Sequence, residues 1–322
     1  MAVEGKRIVL TGGAGFIGSQ LARRLVEKNE VIIYDNGHRN ALRYTDLVGN
    51  ANLTLIWGDV LDREAVRRAI AGSQIVIHLA AIAGVDTVMQ MPIHTMRVNL
   101  FGALNVLEAC TENRVERLID FSTSEVFGSY VYKAEEHTAT QLGEVGESRW
   151  TYAVSKLAAE HLVYSYHKEH NLPTVTIRPF NVYGPQQVGI GAIHVFVVRA
   201  LRNEDILVHG DGNQIRSWCY VDDMVNGTLL CIEKQEAVGH VFNIGNPRAT
   251  ITTASLAEAV RRLCNSRSKI VFDEIGYADV ELRIPSIAKA QKVLGYKPMT
   301  DLEQGLRKTI EWYRERGVEE HD

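Results

Sequence analysis

Arg7-Ile8-Val9-Leu10-Thr11-Gly12-Gly13-Ala14-Gly15-Phe16-Ile17-Gly18 is the stretch on which the fold turns. Arg7–Leu10 is a short β-branched run. From Phe16 to Lys28 the apolar residues Phe16, Ile17, Leu21, Leu25 and Val26 recur at helical spacing. Val31-Ile32-Ile33-Tyr34-Asp35 then reads as a second, buried strand. Strand, glycine turn, helix and strand make one βαβ unit. The glycines satisfy G-x-G-x-x-G (Gly13, Gly15, Gly18) and the wider G-x-x-G-x-x-G (Gly12, Gly15, Gly18). Lacking Cβ atoms, such a backbone can lie against a pyrophosphate, whose charge meets unpaired N–H groups at a helix N-terminus. A tight turn with no ligand can carry the same pattern. Here it follows a strand, opens a helix and has Asp35 at the end of the next strand, which is the context a dinucleotide site requires. Asp35 can accept hydrogen bonds from adenosine ribose hydroxyls, and its charge would repel a 2′-phosphate. The expected cofactor is NAD rather than NADP.

Outward from this unit the alternation continues. Strands are predicted at Leu53–Trp57, Ile75–Leu79, Arg117–Ser122 and Thr174–Arg178, with helices over Asp62–Ile70, Pro92–Asn113 and Tyr152–His170. Continuous apolar strands alternating with amphipathic helices predict a parallel sheet covered on both faces. After Pro179 turn residues thicken and the alternation lapses, although Asp222–Lys234 and His240–Ile244 look like returns to the sheet. The expected fold is α/β, a Rossmann-type doubly wound parallel sheet with a smaller C-terminal substrate-binding lobe. Residues 1–183, with returns at about 222–246, would bind the dinucleotide, and 184–221 with 247–322 would form the lobe. Tyr130–Ser148, polar and long for a connection, is expected to be an active-site loop.

The length of 322 residues allows about two domains, or one core with a sizeable annex, at ~100–200 residues per domain. Hydrophobic residues at 46% and charged residues at 23% are globular values, which excludes disorder for most of the chain. Thirty-five Lys+Arg against 39 Asp+Glu, with no basic run, gives no electrostatic footprint for nucleic acid. Cys110, Cys219, Cys231 and Cys264 are far apart and form no C-x-x-C pair, so neither a zinc site nor a disulfide framework is expected. No apolar stretch reaches the ~18 residues of a membrane span, and no signal-like region precedes the first strand. A soluble cytoplasmic protein that binds no metal is the expectation. His161, His167 and His170 read as solvated or interfacial rather than as ligands.

Tyr152-Ala153-Val154-Ser155-Lys156 places a phenol and an ammonium at i, i+4 on one helical face. A free tyrosine titrates near ~10. A nearby ammonium and a positive nicotinamide ring both favour the phenolate, so the pair can act as a general base near neutrality. Amphipathic helices also show this spacing by chance. Phe121-Ser122-Thr123-Ser124-Glu125 closes the preceding strand at the carboxyl edge, where open α/β sheets bind ligands, and a hydroxyl there can complete the Tyr–Lys site.

Taken together the motifs resemble an extended short-chain dehydrogenase/reductase, of the NAD-dependent epimerase/dehydratase family. The matching pieces are Thr11–Gly18, Asp35, Gly58-Asp59-Val60, His78-Leu79-Ala80-Ala81, Asn99, Ser122–Gly128, Tyr152–Lys156, Arg178–Pro185 and Arg216–Asp223. The resemblance implies a nucleotide-sugar substrate oxidised at C4, with Tyr152 as base and NAD as hydride acceptor. It implies that Gly12, Gly15, Phe16, Ile17, Gly18, Asp35, Asp59, Val60 and Ala80 hold the cofactor, Asp59 and Val60 at the adenine. Lys156 would hold the nicotinamide ribose and lower the pKa of Tyr152, Thr123 would assist at the substrate hydroxyl, and Asn181 and Arg216 would face the nucleotide diphosphate. It also implies a homodimer, with the helix carrying Tyr152 and its neighbour Pro92–Asn113 forming a four-helix interface.

Within the family the reaction depends on a few side chains. The commonest 4,6-dehydratases place an adjacent Asp-Glu pair near C5 and C6, where this chain has Ser124-Glu125. A 4-epimerase needs only room for the ketone to turn. If C6 is a carboxylate, oxidation at C4 makes a β-keto acid that loses carbon dioxide readily. Thr123-Ser124-Glu125 and Asp279-Val280-Glu281-Leu282-Arg283-Ile284-Pro285-Ser286 resemble the UDP-glucuronate decarboxylases, whose arginine matching Arg283 is the proposed acid at C5. A guanidinium is a poor acid, with a pKa above ~12, and its planar fork suits a carboxylate or enolate better. Arg283 could equally serve the diphosphate or a structural ion pair. Decarboxylases usually carry Arg after the Tyr-Gly-Pro motif, where this chain has Gln186 and Gln187. Decarboxylation of UDP-glucuronate, to a UDP-4-keto-pentose or UDP-xylose, is the expected reaction. Epimerase, dehydratase and a non-catalytic NAD-binding regulator are the alternatives.

Overall fold

The computed structural model describes residues 3–189, 191–274 and 279–316. The N-terminal part runs β1 (Arg7–Thr11), α1 (Phe16–Leu25), β2 (Glu30–Asp35), β3 (Leu53–Trp57), α2 (Arg63–Ile70) and β4 (Ile75–His78). The long helix expected over Pro92–Asn113 is divided: α3 (Val85–Gln90) precedes α4 (Pro92–Met96), a π turn at Arg97–Phe101, and α5 (Gly102–Glu112). β5 (Arg117–Phe121), a 3-10 turn at Ser124–Phe127, β6 (Tyr130–Ala134), α6 (Thr151–His170) and β7 (Thr174–Pro179) follow. Beyond them lie β8 (Val182–Tyr183), α7 (Ala192–Arg202), β9 (Ile206–His209), β10 (Ile215–Ser217) and β11 (Cys219–Tyr220). α8 (Val221–Glu233), β12 (His240–Ile244), β13 (Thr250–Thr252), β14 (Ile270–Asp273) and β15 (Leu282–Pro285) complete the strands.

Seven strands form one sheet in the order β12-β7-β5-β4-β1-β2-β3, and every pairing is parallel. Alternate residues of each strand supply the two faces. Ile8, Leu10, Ile33, Ile77, Ile119 and Ile177 enter one core, while Val9, Ile32, Val76 and Leu118 enter the other with side chains of α2, α5 and α6. Each such side chain contributes about 1.5–3 kcal/mol through burial, which is why the strands read as unbroken apolar runs. Chain order reverses between β1 and β4, so a crevice opens there at the carboxyl ends of the strands.

A second sheet, β13-β10-β15-β6, is mixed: β10 runs antiparallel to β13 and parallel to β15, and β15 runs parallel to β6. Its register sets Arg216 beside Arg283, and Arg283 beside Val131. Here the expectation of a loop over Tyr130–Ser148 needs correction. Tyr130–Ala134 is a strand with Val131 and Ala134 buried and Tyr130 and Tyr132 turned outward. Its partner β15 lies far along the chain, so no local pattern announces the pairing. Among the described residues no helix is long and apolar enough to cross a membrane, and no group of His, Cys, Asp or Glu could hold a metal ion. All four cysteines are free and buried.

Candidate active site

The crevice at the β1/β4 switch point is a cleft of about 430 Å3. Gly12, Gly15, Phe16, Ile17, Gly18, Asp35, Asp59, Val60, Ala80 and Tyr152, all expected at the cofactor, line it. Gly12 has φ +71°, and a Cβ on it would lie 2.5 Å from the backbone nitrogen of Ala80. One on Gly18 would lie 2.6 Å from the Gly12 carbonyl oxygen. The turn is therefore packed backbone to backbone against the end of β4. Gly15 is the N-cap of α1 and offers no side-chain cap, and no acidic residue occupies the first turn. The N–H groups that open the helix are left for an anion. Asp35 accepts hydrogen bonds from Ala14 N at 3.0 Å and Gly37 N at 2.8 Å, so it braces the glycine loop as well as facing the cleft. Burial pushes its carboxyl up, and those two N–H groups pull it back. Asp59 accepts from Leu61 N at 2.9 Å, and its carbonyl accepts from the Tyr34 hydroxyl at 2.8 Å. This cradle fits a dinucleotide without a 2′-phosphate.

Tyr152 and Lys156 stand on the first turns of α6, beneath the open end of the cleft. The Tyr152 phenol is raised to about 12: burial pushes it up most, a hydrogen bond with Thr123 and the charge of Arg39 pull it down, and Glu125 and Asp120 add to the rise. Ionisation near neutrality therefore needs further positive charge, which an oxidised nicotinamide in the cleft would supply. Thr123 also caps the 3-10 turn, accepting from Glu125 N at 3.1 Å. The neighbouring Ser122 hydroxyl is committed elsewhere: it donates to Glu160 at 2.7 Å, and Arg178 grips that same carboxylate at 2.5 and 3.1 Å. Asn99, in the π turn, exchanges hydrogen bonds with the Ile82 backbone at 2.8 and 3.1 Å and reaches Ser155 Oγ at 3.0 Å. The π turn is thus what rotates one polar side chain inward to tie the end of β4 to α6.

Near enough to Tyr152 for its charge to act on the phenol, Glu125 lies between two guanidiniums. Arg149 Nη1 donates to its Oε2 at 2.6 Å and Nη2 to its Oε1 at 3.2 Å, while Arg283 Nη1 donates to Oε1 at 2.7 Å. Burial alone would raise the Glu125 carboxyl, but Arg283 and Arg149 outweigh it and hold the group well below the usual carboxylate range. Arg283 also donates to the Gly128 carbonyl at 2.9 Å, and its buried Nε–H has no protein partner. Ser124 is buried at the start of the same turn. Arg216 stands beside Arg283 in the second sheet, 3.4 Å from Asp279 Oδ1, and burial lowers it to about 10 although Asp279 opposes the shift. Asn181, at φ +36°, donates from Nδ2 to the Ser217 carbonyl at 2.9 Å, which sets it next to Arg216.

Two arginines that the sequence reading did not place among the site residues belong to this geometry. Arg149 follows from its clamp on Glu125, and the motif Arg149-Trp150 before Thr151-Tyr152 was its signal. Arg39 lines the cleft, donates to the Ala83 carbonyl at 2.9 Å and runs so close to Gly189 that a Cβ there would lie 2.9 Å from its guanidinium carbon. Its only sequence cue is its position four residues after Asp35.

A parallel sheet with a glycine cradle at its switch point and a Tyr–Lys pair on the adjoining helix defines a dinucleotide-dependent oxidoreductase fold. Comparison with known proteins resolves the family. The profile of the NAD dependent epimerase/dehydratase family matches residues 8–245. A UDP-N-acetyl-alpha-D-glucosaminuronate decarboxylase of Bacillus cytotoxicus is 35% identical over 321 residues, covering 96% of this chain and 98% of the relative. UDP-glucuronic acid decarboxylase 6 of Arabidopsis thaliana is 36% identical over 318 residues, covering 96% and 89%. Among solved structures, the UDP-glucuronic acid 4-epimerase of Bacillus cereus, in complex with UDP-glucuronic acid and NAD, superimposes with a TM-score of 0.87 at 28% identity, covering 97% of this chain and all 100% of the other. The chain belongs to the NAD-dependent epimerase/dehydratase family: it is an enzyme, and its cofactor is NAD.

Proposed function

We propose that the protein decarboxylates a UDP-hexuronate, with UDP-glucuronate as substrate. The observation that carries this reading is the Arg149–Glu125–Arg283 clamp beside Tyr152, a buried cationic cluster whose Arg283 Nε–H has no protein partner. A neutral hexose gives such a cluster nothing to bind, whereas a C6 carboxylate takes up the spare donors of a planar fork.

The glycine turn, Asp35 and Asp59 would hold NAD, which would supply the hydride acceptor for oxidation at C4 of the sugar. Tyr152 receives the C4 hydroxyl proton, and Thr123 holds that hydroxyl in line. Lys156 keeps positive charge beneath the phenol. Glu125 pins the two guanidiniums in a fixed orientation, so Arg283 presents its donors to the carboxylate without reorganisation. Once C4 is a ketone, the C5–C6 bond of the β-keto acid breaks, carbon dioxide leaves, and its electrons form an enolate that the same cationic wall stabilises. Glu125, locked as a carboxylate by two arginines, suits this positioning better than the acid–base work of a 4,6-dehydratase. Asn181 and Arg216 face the diphosphate.

Two variants of the reading have specific support. The Bacillus cytotoxicus relative is named for a 2-acetamido uronate, and the Bacillus cereus neighbour for 4-epimerisation of UDP-glucuronate. Incubation of the purified protein with NAD and each UDP-uronate, followed by product mass, separates them. Loss of carbon dioxide supports decarboxylation and identifies the C2 substituent. Unchanged mass with inverted C4 supports epimerisation, and turnover of UDP-glucose alone refutes a uronate site.

We further infer a homodimer through the face of α4, the π turn and α6, where Ile93, Phe101, Val154 and Tyr164 are exposed apolar side chains. Ile93 is 77% exposed and Phe101 50%, apolar surface that a partner chain would cover. The cytoplasm, which supplies NAD and UDP-sugars, is the corresponding place of action. Light scattering that returns the mass of one chain at micromolar concentration would refute the dimer.

A further inference from the structure

The strand registers line up four polar residues across the main sheet. Thr11 of β1 is paired with His78 of β4, His78 with Asp120 of β5, and Asp120 with Thr176 of β7. Their neighbours two residues back, Val9, Val76 and Leu118, lie in the core on the α2, α5 and α6 side. Side chains alternate along a strand, so the polar row faces that side too, directly under α6. His78, Asp120 and Lys156 are each no more than 2% exposed. His78 Nδ1 meets Thr11 Oγ1 at 2.6 Å, but His78 Nε2 and both carboxylate oxygens of Asp120 are buried with no protein partner.

A native core rarely leaves a carboxylate in this condition, because desolvation without a donor costs several kcal/mol. The charge that offsets it comes from α6. The Asp120 carboxyl is raised on balance: burial pushes it up most, the Lys156 ammonium pulls it down in part, and Glu160 pushes it up again. Burial, with Lys156 adding to it, brings His78 down to about 3, so the imidazole is neutral. The Glu160 carboxylate is itself held by Arg178 and Ser122, which leaves Lys156 for Asp120. Among the described residues no hydrogen bond or ion pair holds the Lys156 ammonium, and its charge acts on Asp120. A neutral His78 whose Nδ1 accepts from Thr11 carries its proton on Nε2, on the strand next to Asp120.

We propose that Asp120 is a positioning residue: its buried carboxylate is the counter-charge of Lys156, seated under the catalytic pair and oriented by the Thr11–His78 bond. It touches neither sugar nor cofactor. It fixes the charge of the floor on which Tyr152 and Lys156 work, and the Tyr152 phenol feels it directly.

The deciding experiment is a stability cycle on the full chain, read by urea unfolding of Asp120→Asn, Lys156→Met and the double variant. Lys156→Met strands the carboxylate and is expected to destabilise. Adding Asp120→Asn is expected to recover most of that loss, so the double variant is more stable than Lys156→Met alone. Additive losses would overturn the proposal. Should Asp120→Asn alone fail to fold, the comparison of Lys156→Met with the double variant still decides. A second readout is the pH dependence of kcat in Asp120→Asn on whichever UDP-sugar the wild type turns over. Removing a negative charge that opposes the phenolate moves the acid limb to lower pH, by roughly one unit for a buried charge. A limb that stays in place while kcat falls evenly indicates a merely structural residue and contradicts the proposal. The stability cycle does not depend on the sugar, so it stands even if UDP-glucuronate is not the substrate.

Discussion

The dinucleotide crevice and the arginine clamp on Glu125 are built in opposite ways. In the crevice the work is done by missing side chains and backbone N–H groups contributed by one continuous stretch, Thr11–Gly18, with Asp35 close behind. In the clamp it is done by long charged side chains from three distant places, Glu125, Arg149 and Arg283, gathered by the 3-10 turn, the approach to α6 and the second sheet. The first region tolerates almost no added atom, since a Cβ on Gly12 would sit 2.5 Å from backbone. The second is governed by charge balance, because two guanidiniums share one carboxylate. Cofactor binding and substrate choice should therefore fail separately.

Tyr152→Phe tests the point where the regions meet and carries the largest effect. Turnover should fall by about 10²–10⁴ while NAD remains bound, measured as nucleotide released on denaturation. Undiminished sugar conversion in this variant would remove the base from the account. Glu125→Gln leaves two buried guanidiniums facing a neutral amide and should cost about 3–5 kcal/mol of stability in urea unfolding. A loss below ~1 kcal/mol would mean that the clamp behaves as an ordinary surface pair. Arg283→Ala, with Glu125 still held by Arg149, should lower kcat by about 10²–10³ and leave NAD affinity unchanged. Loss of NAD from that variant would show that the two ends are not separable.

Gly12→Ala is the reciprocal change. It should reduce NAD affinity and cost about 1–3 kcal/mol through overpacking at a positive φ, with the arginine clamp intact. The smallest effect is on pH. Glu125 has a folded pKa below its ordinary value of 4.5, so its pairing adds stability that is complete above that value. The contribution is lost as pH falls through the ordinary range and below it. The urea midpoint of the wild type should decline between about pH 5 and pH 3 more steeply than that of Glu125→Gln.

The same contrast explains what could be read before the structure. Val9, Ile32 and the glycines act through neighbours in sequence or through simple periodicity, so β1, α1, β2 and the glycine turn that lines the crevice are legible from the chain. β6 was not, because Tyr130–Ala134 pairs with β15 about 150 residues on, and a five-residue run followed by a long polar stretch carries no local sign of that partner. Arg149 and Arg39 were missed as site residues for a related reason: an arginine looks solvated until a carboxylate or a cleft is brought to it. Asp120 sat unnoticed inside Arg117–Ser122, where one acid in an apolar strand reads as an exception. Register alone aligns it with His78 beneath Lys156. The split of Pro92–Asn113 by a π turn also escaped the helical period, although Asn99 depends on it.

The claim at the centre is that buried guanidiniums at the sugar end select a C6 carboxylate. The ratio of kcat/KM for UDP-glucuronate to that for UDP-glucose measures it directly. A site built to hydrogen-bond a group rejects the analogue lacking it by about 10⁴ or more, and that is the ratio expected here. Comparable values for the two sugars, or a preference for UDP-glucose, would contradict the claim.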